Sequence, residues 1–105
     1  MSVVDPNSIP VTWLVEKLES TLFEFVLRHD LERAQLINVD IEKMIQEAIP
    51  KGKEKWSQFI ADMIENDELW FFSNSKNDWA SLSERSGYAI VRDGKIIGAE
   101  ITMKS

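Results

Sequence analysis

The stretch that decides the fold is GYAIVRDGKIIGAEITM, residues 87–103. Two apolar runs flank the dipeptide Asp93-Gly94, and this arrangement predicts a two-residue turn with positive φ at both positions. The turn joins strand 87–92 to strand 95–104 in a C-terminal β-hairpin. Because side chains alternate along a strand, one face of this hairpin is expected to form the core. The residues predicted on that face are Tyr88, Ile90, Ile97, Ala99, Ile101 and Met103.

A third strand is predicted upstream of the hairpin, at residues 68–73 (ELWFFS). Aromatic residues favour a pleated, half-buried strand. Alternation places Leu69 and Phe71 on one face and Trp70 and Phe72 on the other. Both faces of this strand are therefore apolar.

The second face of the predicted sheet carries apolar residues for which the sequence identifies no cover. Val91 and Ile96 pair across the hairpin turn on this face, and Phe72 belongs to the aromatic strand. Exposed apolar area of this kind is typical of an interface. We therefore expect Phe72, Val91 and Ile96 to contact a protein partner or a second copy of the chain, in a homodimer.

The first 65 residues show helical periodicity. Apolar residues at spacings of three and four predict an amphipathic helix of about five turns from Pro10 to His29. Asp40 is the expected N-cap of a second helix, and residues 50–52 (Pro-Lys-Gly) are expected to end it in a tight turn. A third helix is predicted after this turn, with apolar residues on one face: Trp56, Phe59, Ile60, Met63 and Ile64.

These elements predict an α+β fold. N-terminal amphipathic helices pack on one face of a small antiparallel sheet of about three strands that ends in the C-terminal hairpin. Residues 1–105 form a single domain: a tail at 1–9, a helical part at 10–65, and a strand, short helix and hairpin at 67–104.

Composition excludes several classes of chemistry. The chain has 105 residues, no Cys, one His and a net charge of −6. Without Cys and with a single His, the chain lacks the usual ligands of a zinc site. His29 is expected to interact with a helix C-terminus rather than to serve as a catalytic base. Asp62, Glu65, Asp67 and Glu68 are expected to lie in a solvated turn. We predict no catalytic residue, no metal and no cofactor.

Charge and hydropathy also limit the partners. The only basic cluster, Lys51, Lys53 and Lys55, has Glu54 inside it, which is too little for nucleic-acid binding. No apolar run approaches the ~20 residues of a membrane span, and residues 1–10 lack the pattern of a secretory signal. We expect a cytoplasmic protein.

Four residues of the second half are candidates for a binding site. Trp70, Trp79, Arg85 and Tyr88 are predicted to converge on one spot. Aromatic residues with Arg are typical of interface hot spots and also of pockets for flat ligands. The alternative is that Trp79 and Tyr88 belong to the core while Arg85 covers the sheet edge.

The same region resembles a known group of proteins. The pattern DELWFF at 67–72, followed by DWASLSERSGYAIVRDGKIIGAEITM at 78–103, is similar to a group of small uncharacterised bacterial proteins. The resemblance covers about half of the chain and implies a strand, a Trp-bearing short helix and a hairpin. Residues 74–77 depart from the group, which tends to have a Pro-containing loop there. The resemblance implies no active site.

Three functions are compatible with the sequence. The first is a non-enzymatic protein-interaction or regulatory module, with self-association as one form. The second is a small-ligand-binding protein or minor enzyme that uses Trp70, Arg85 and Tyr88. The third is an immunity- or antitoxin-like inhibitor whose acidic surface binds a basic partner.

Overall fold

The computed structural model describes residues 2–33, 38–74 and 85–104. In these residues the protein is α+β, with two α-helices and one five-stranded antiparallel sheet, so the predicted class is confirmed and the predicted count of three strands is wrong. Two compact units make up the chain. The sheet unit is Met1–Glu19 with Asp62–Ser105, and the helical unit is Ser20–Ala61. The short helix predicted between residues 75 and 84 lies outside the described residues.

All neighbouring strands of the sheet are antiparallel, in the order β1-β5-β4-β3-β2. The strands are β1 Ser2–Val4, β2 Leu14–Leu18, β3 Glu68–Ser73, β4 Arg85–Arg92 and β5 Lys95–Lys104. The three strands that the sequence predicts form the centre. The two strands that it missed, β1 and β2, form the edges.

The long first helix predicted from Pro10 to His29 is wrong. A 3₁₀ helix at Val11–Trp13 leads into β2, which pairs with β3, and the first α-helix (α1) is Phe23–Arg33. Ser20 interrupts the pattern, since its hydroxyl oxygen accepts a hydrogen bond from the backbone N–H of Leu22 at 3.1 Å. Apolar spacings of four also fit a strand, because four is a multiple of the strand period.

The predicted N-terminal tail, residues 1–9, is also wrong. Residues 2–4 form β1, and Pro6–Ser8 form a 3₁₀ helix whose N-cap, Asp5, accepts the backbone N–H of Asn7 at 2.9 Å. Ile9 then turns into the core of the sheet unit. This N-terminal segment therefore packs on the face of the sheet for which the sequence identifies no covering residues.

The core on that face, which we call the Phe72 face, is a single apolar cluster. The cluster contains one residue of the N-terminal segment and residues of the three central strands. Its members are Ile9, Phe72 (β3), Ala89 (β4), and Ala99 and Ile101 (β5). Half-buried apolar residues pack against it: Val4, Trp13, Leu14 and Ile96. The opposite face, which we call the Tyr88 face, carries the buried residues Leu69, Phe71, Tyr88, Ile90 and Glu100.

The hairpin turn is confirmed, but the register beyond it differs from the prediction. Asp93 and Gly94 have φ of 53° and 78°. Val91 pairs with Ile96 as predicted, and a bulge at Ile97 then shifts the register. The bulge sends Ile97 outward, and Ala99 faces away from Tyr88 rather than lying beside it. The predicted core face of the hairpin is therefore divided between both faces of the sheet.

The helical unit consists of α1 packed against the second helix (α2), Ile41–Ile60. Asp40 is its N-cap as predicted, accepting the backbone N–H of Lys43 at 3.1 Å. The predicted turn at residues 50–52 is wrong, because α2 continues through Pro50. Proline inside a helix costs about 3 kcal/mol. Packing on both sides of Pro50 offsets this cost, since Ile45 before it and Trp56 after it are both buried.

Trp56 is the centre of the helical unit. Its ring stacks on Phe23 of α1 with centroids 5.9 Å apart, and it lies 5.4 Å from the ring of Phe59. Its indole N–H donates a hydrogen bond to the backbone carbonyl of Thr21 at 2.8 Å. Gly52 lets α1 approach closely, because an added Cβ would meet the Phe23 ring at 2.7 Å.

Candidate functional site

The predicted aromatic and arginine site is not assembled by the described residues. Trp70 pairs with Ala89 on the Phe72 face, whereas Tyr88 lies fully buried on the opposite face. Arg85 is exposed at the start of β4, where its backbone N–H donates to the side-chain oxygen of Asn74 at 2.7 Å. Trp79 lies outside the described residues. The structure thus separates Trp70 from Tyr88 rather than bringing them together.

Trp70 belongs instead to a small polar network at the start of β3. Its indole N–H donates to Glu68 Oε1 at 3.1 Å, and Lys17 Nζ lies 3.0 Å from Glu68 Oε2. The hydrogen bond from Lys17, followed by that from Trp70, holds the pKa of the Glu68 carboxyl below its ordinary value. The network orients the half-buried Trp70 ring on the sheet.

The three residues predicted at an interface differ in accessibility. Phe72 has no exposed surface and Val91 is buried, so both contribute to the interior of the protein. Ile96 is half-buried and remains reachable from solvent. Of the predicted set, Ile96 borders a surface groove in the described part of the sheet unit.

That groove lies between the N-terminal segment and the hairpin turn of the sheet unit. It is open to solvent and has a volume of about 320 Å³. Eight residues line it: Pro6, Asn7, Ile9, Val11, Gly94, Lys95, Ile96 and Ile97. Buried Ile9 forms its base, while Val11 and Ile97 keep 54% and 40% of their surface exposed.

Local backbone features shape this groove. Pro6 and the Asp5 cap fold residues 6–8 into a 3₁₀ turn, and this turn lies against β5. On the other wall, the bulge turns Ile97 toward solvent. The turn signature of Asp5-Pro6-Asn7-Ser8 is visible in the sequence, but its position against the hairpin depends on long-range pairing.

Asp67 forms a two-point ion pair with Arg92 in the sheet unit. Its side chain is 1% exposed and accepts hydrogen bonds from Arg92 Nε at 2.9 Å and Arg92 Nη2 at 2.8 Å. It also accepts the backbone N–H of Ile64 at 3.0 Å. The hydrogen bonds from Arg92, then that from Ile64, lower the pKa of Asp67 to about 2. The expectation of a solvated turn is therefore wrong for Asp67.

This contact predicts a pH dependence of stability. The pKa of Asp67 is about 2 in the folded protein against an ordinary value of 3.8, so its contribution is fully present above pH 3.8. The contribution is lost as the pH falls from 3.8 toward 2. We expect Asp67→Asn to lower Tm at neutral pH, and the difference from wild type to shrink across this acid range. Thermal denaturation followed by circular dichroism measures the difference.

Asp62→Asn is the matched control for this experiment, because it removes the same charge from the same connection between α2 and β3. Arg92 contacts only the backbone carbonyl of Asp62, at 3.3 Å, so the control leaves that contact in place. A difference between Asp67→Asn and wild type that stays constant down to about pH 2 would contradict the assignment.

The described residues contain no group of three or more His, Asp or Glu side chains placed to hold a metal ion. Among the same residues, no helix is long and apolar enough to cross a membrane. In comparisons with protein-family models, with curated proteins and with solved structures, nothing matches this chain.

Proposed function

We propose that the protein is a non-enzymatic interaction module that binds a protein partner through the groove of the sheet unit. The observation that carries this proposal is the exposure of Val11 and Ile97 beside buried Ile9. Exposed aliphatic side chains around a concave apolar base favour the burial of a partner's side chain.

The placement of the aromatic residues favours this function over a small-ligand pocket. Trp70 and Tyr88 occupy opposite faces of the sheet, so one flat ligand cannot contact both. A volume of about 320 Å³ is at the lower end of the range for small-molecule sites, and the groove is open rather than enclosed. An open apolar groove suits one or two side chains of a longer chain.

The experiment that tests this function is the panning of a random peptide library, displayed on phage, against the immobilised full chain. Wild type is expected to enrich peptides rich in aliphatic and aromatic residues. Ile97→Asp is expected to weaken the binding of those peptides by at least about tenfold, because it places a charge on the apolar rim.

Ile64→Asp is the matched control, since Ile64 is 60% exposed in the same unit and does not line the groove. It is expected to bind the selected peptides as wild type does. Thermal denaturation of both variants establishes that they are folded. The proposal is overturned if wild type enriches no peptide, or if Ile97→Asp binds as well as Ile64→Asp.

A second copy of the chain is one candidate partner within this function. Light scattering over a dilution series detects such self-association. If the second copy occupies the groove, the association is weakened by Ile97→Asp and unchanged by Ile64→Asp.

A further inference from the structure

We infer that the groove binds an extended peptide segment in which an aliphatic or aromatic side chain stands next to a carboxylate. This inference rests on the proposed function and specifies the chemistry of the partner. The apolar part of the segment fits the base at Ile9 and the rim at Val11 and Ile97. The carboxylate is recognised by Lys95.

Lys95 is the only charged residue among the eight that line the groove. It is exposed and forms no ion pair or hydrogen bond within the described ranges of the chain. Opposite it across the hairpin lies Arg92, whose guanidinium is held by Asp67. The hydrogen bonds to Asp67 raise the pKa of Arg92, and the charges of Asp67, Asp93 and Asp62 add smaller contributions. An unpaired ammonium on an apolar rim favours a carboxylate in the occupant.

The groove also contains a residue that can form hydrogen bonds with a peptide backbone. Asn7 lines the groove on the side of the N-terminal segment, and a side-chain amide can both donate and accept hydrogen bonds. Asn7 donates its backbone N–H to Asp5, and within the described ranges its side-chain amide has no hydrogen-bond partner. The apolar base at Ile9, the amide of Asn7 and the ammonium of Lys95 together favour a short segment that contains both apolar and acidic residues over a purely apolar segment.

The test compares two synthetic peptides with blocked termini, one alternating Leu and Phe with Asp and the other alternating Leu and Phe with Lys. Fluorescence anisotropy measures the Kd of each peptide for the full chain. Wild type is expected to bind the Asp peptide about two- to fivefold more tightly than the Lys peptide, which is the usual contribution of an exposed ion pair. This preference is expected to become smaller at high salt, because salt screens exposed charges. Lys95→Glu is expected to reverse the preference, and Lys95→Met to abolish it.

Lys53→Glu is the control, because it changes the net charge equally at an exposed site on α2 that does not line the groove. It is expected to lower the affinity for the Asp peptide less than Lys95→Glu does. If both peptides bind equally and Lys95→Glu has no effect, the carboxylate inference is overturned while the interaction function stands. If neither peptide binds and panning enriches none, both are overturned.

Discussion

Trp56→Ala is expected to lower the free energy of unfolding by about 3 to 5 kcal/mol, because it empties the centre of the helical unit. Trp56 is fully buried, stacks on Phe23 and contacts Phe59. No other described tryptophan is buried to this degree. Urea denaturation followed by far-UV circular dichroism measures the loss. A stability of 5 to 15 kcal/mol is usual for a domain, so this loss is large enough to populate unfolded chain.

Two variants separate the causes of this effect. Trp56→Phe keeps a ring against Phe23 but removes the N–H that donates to the carbonyl of Thr21, and we expect it to cost about 1 to 3 kcal/mol. Trp70→Ala removes a tryptophan that is half-buried on the sheet and should cost less than Trp56→Ala. Equal losses for Trp70→Ala and Trp56→Ala would contradict the assignment of Trp56 as the centre of the unit.

The sequence predicted those elements whose signals are local. The Asp93-Gly94 turn requires two positive φ angles, and few dipeptides supply them. Asp40 caps α2 through a hydrogen bond to a residue three positions away. Strands β3 and β4 follow from dense apolar and aromatic runs. In each case the residues that decide the structure are close together in the chain.

The errors arose where distant contacts decide between local alternatives. Residues 14–18 fit a helix by spacing, but pairing with β3 makes them an edge strand. Pro50 is a strong stop signal, yet α2 passes through it with buried contacts on both sides. Residues 2–4 are too few to show a period, and only β5 makes them a strand.

The candidate site was missed for the same reason. The sequence indicates Trp70 and Tyr88 as site residues because aromatic residues are common in binding sites. In the structure, a bulge at Ile97 shifts the strand register and exposes that side chain. A single-residue shift exchanges the two faces of a strand. The sequence predicts Ile96 at an interface, but it places Val11 in a helix and indicates no functional role for Lys95.

Gly87→Ala is expected to disrupt the pairing of β4 with β5 and to lower the free energy of unfolding by about 3 kcal/mol, the upper end of the usual cost of an added methyl group in a packed interior. A Cβ at this position would lie 2.0 Å from the backbone oxygen of Glu100 and 2.9 Å from the Cα of Ile101. Both atoms belong to the backbone of β5, which cannot rotate away as a side chain can. The register shift between Ser86 and Gly87 brings the two strands this close.

Gly94→Ala is the matched control, since it adds the same methyl group at the hairpin turn, where no atom beyond the two chain neighbours lies within 4 Å of the added Cβ. Its φ of 78° costs an alanine about 1 to 2 kcal/mol of left-handed strain against its own local backbone, without overlap with the neighbouring strand. Urea denaturation ranks the two variants, and amide exchange of β4 and β5 locates the damage. If Gly87→Ala is no less stable than Gly94→Ala, β5 can move away, and the close approach at Gly87 is not required by the sheet.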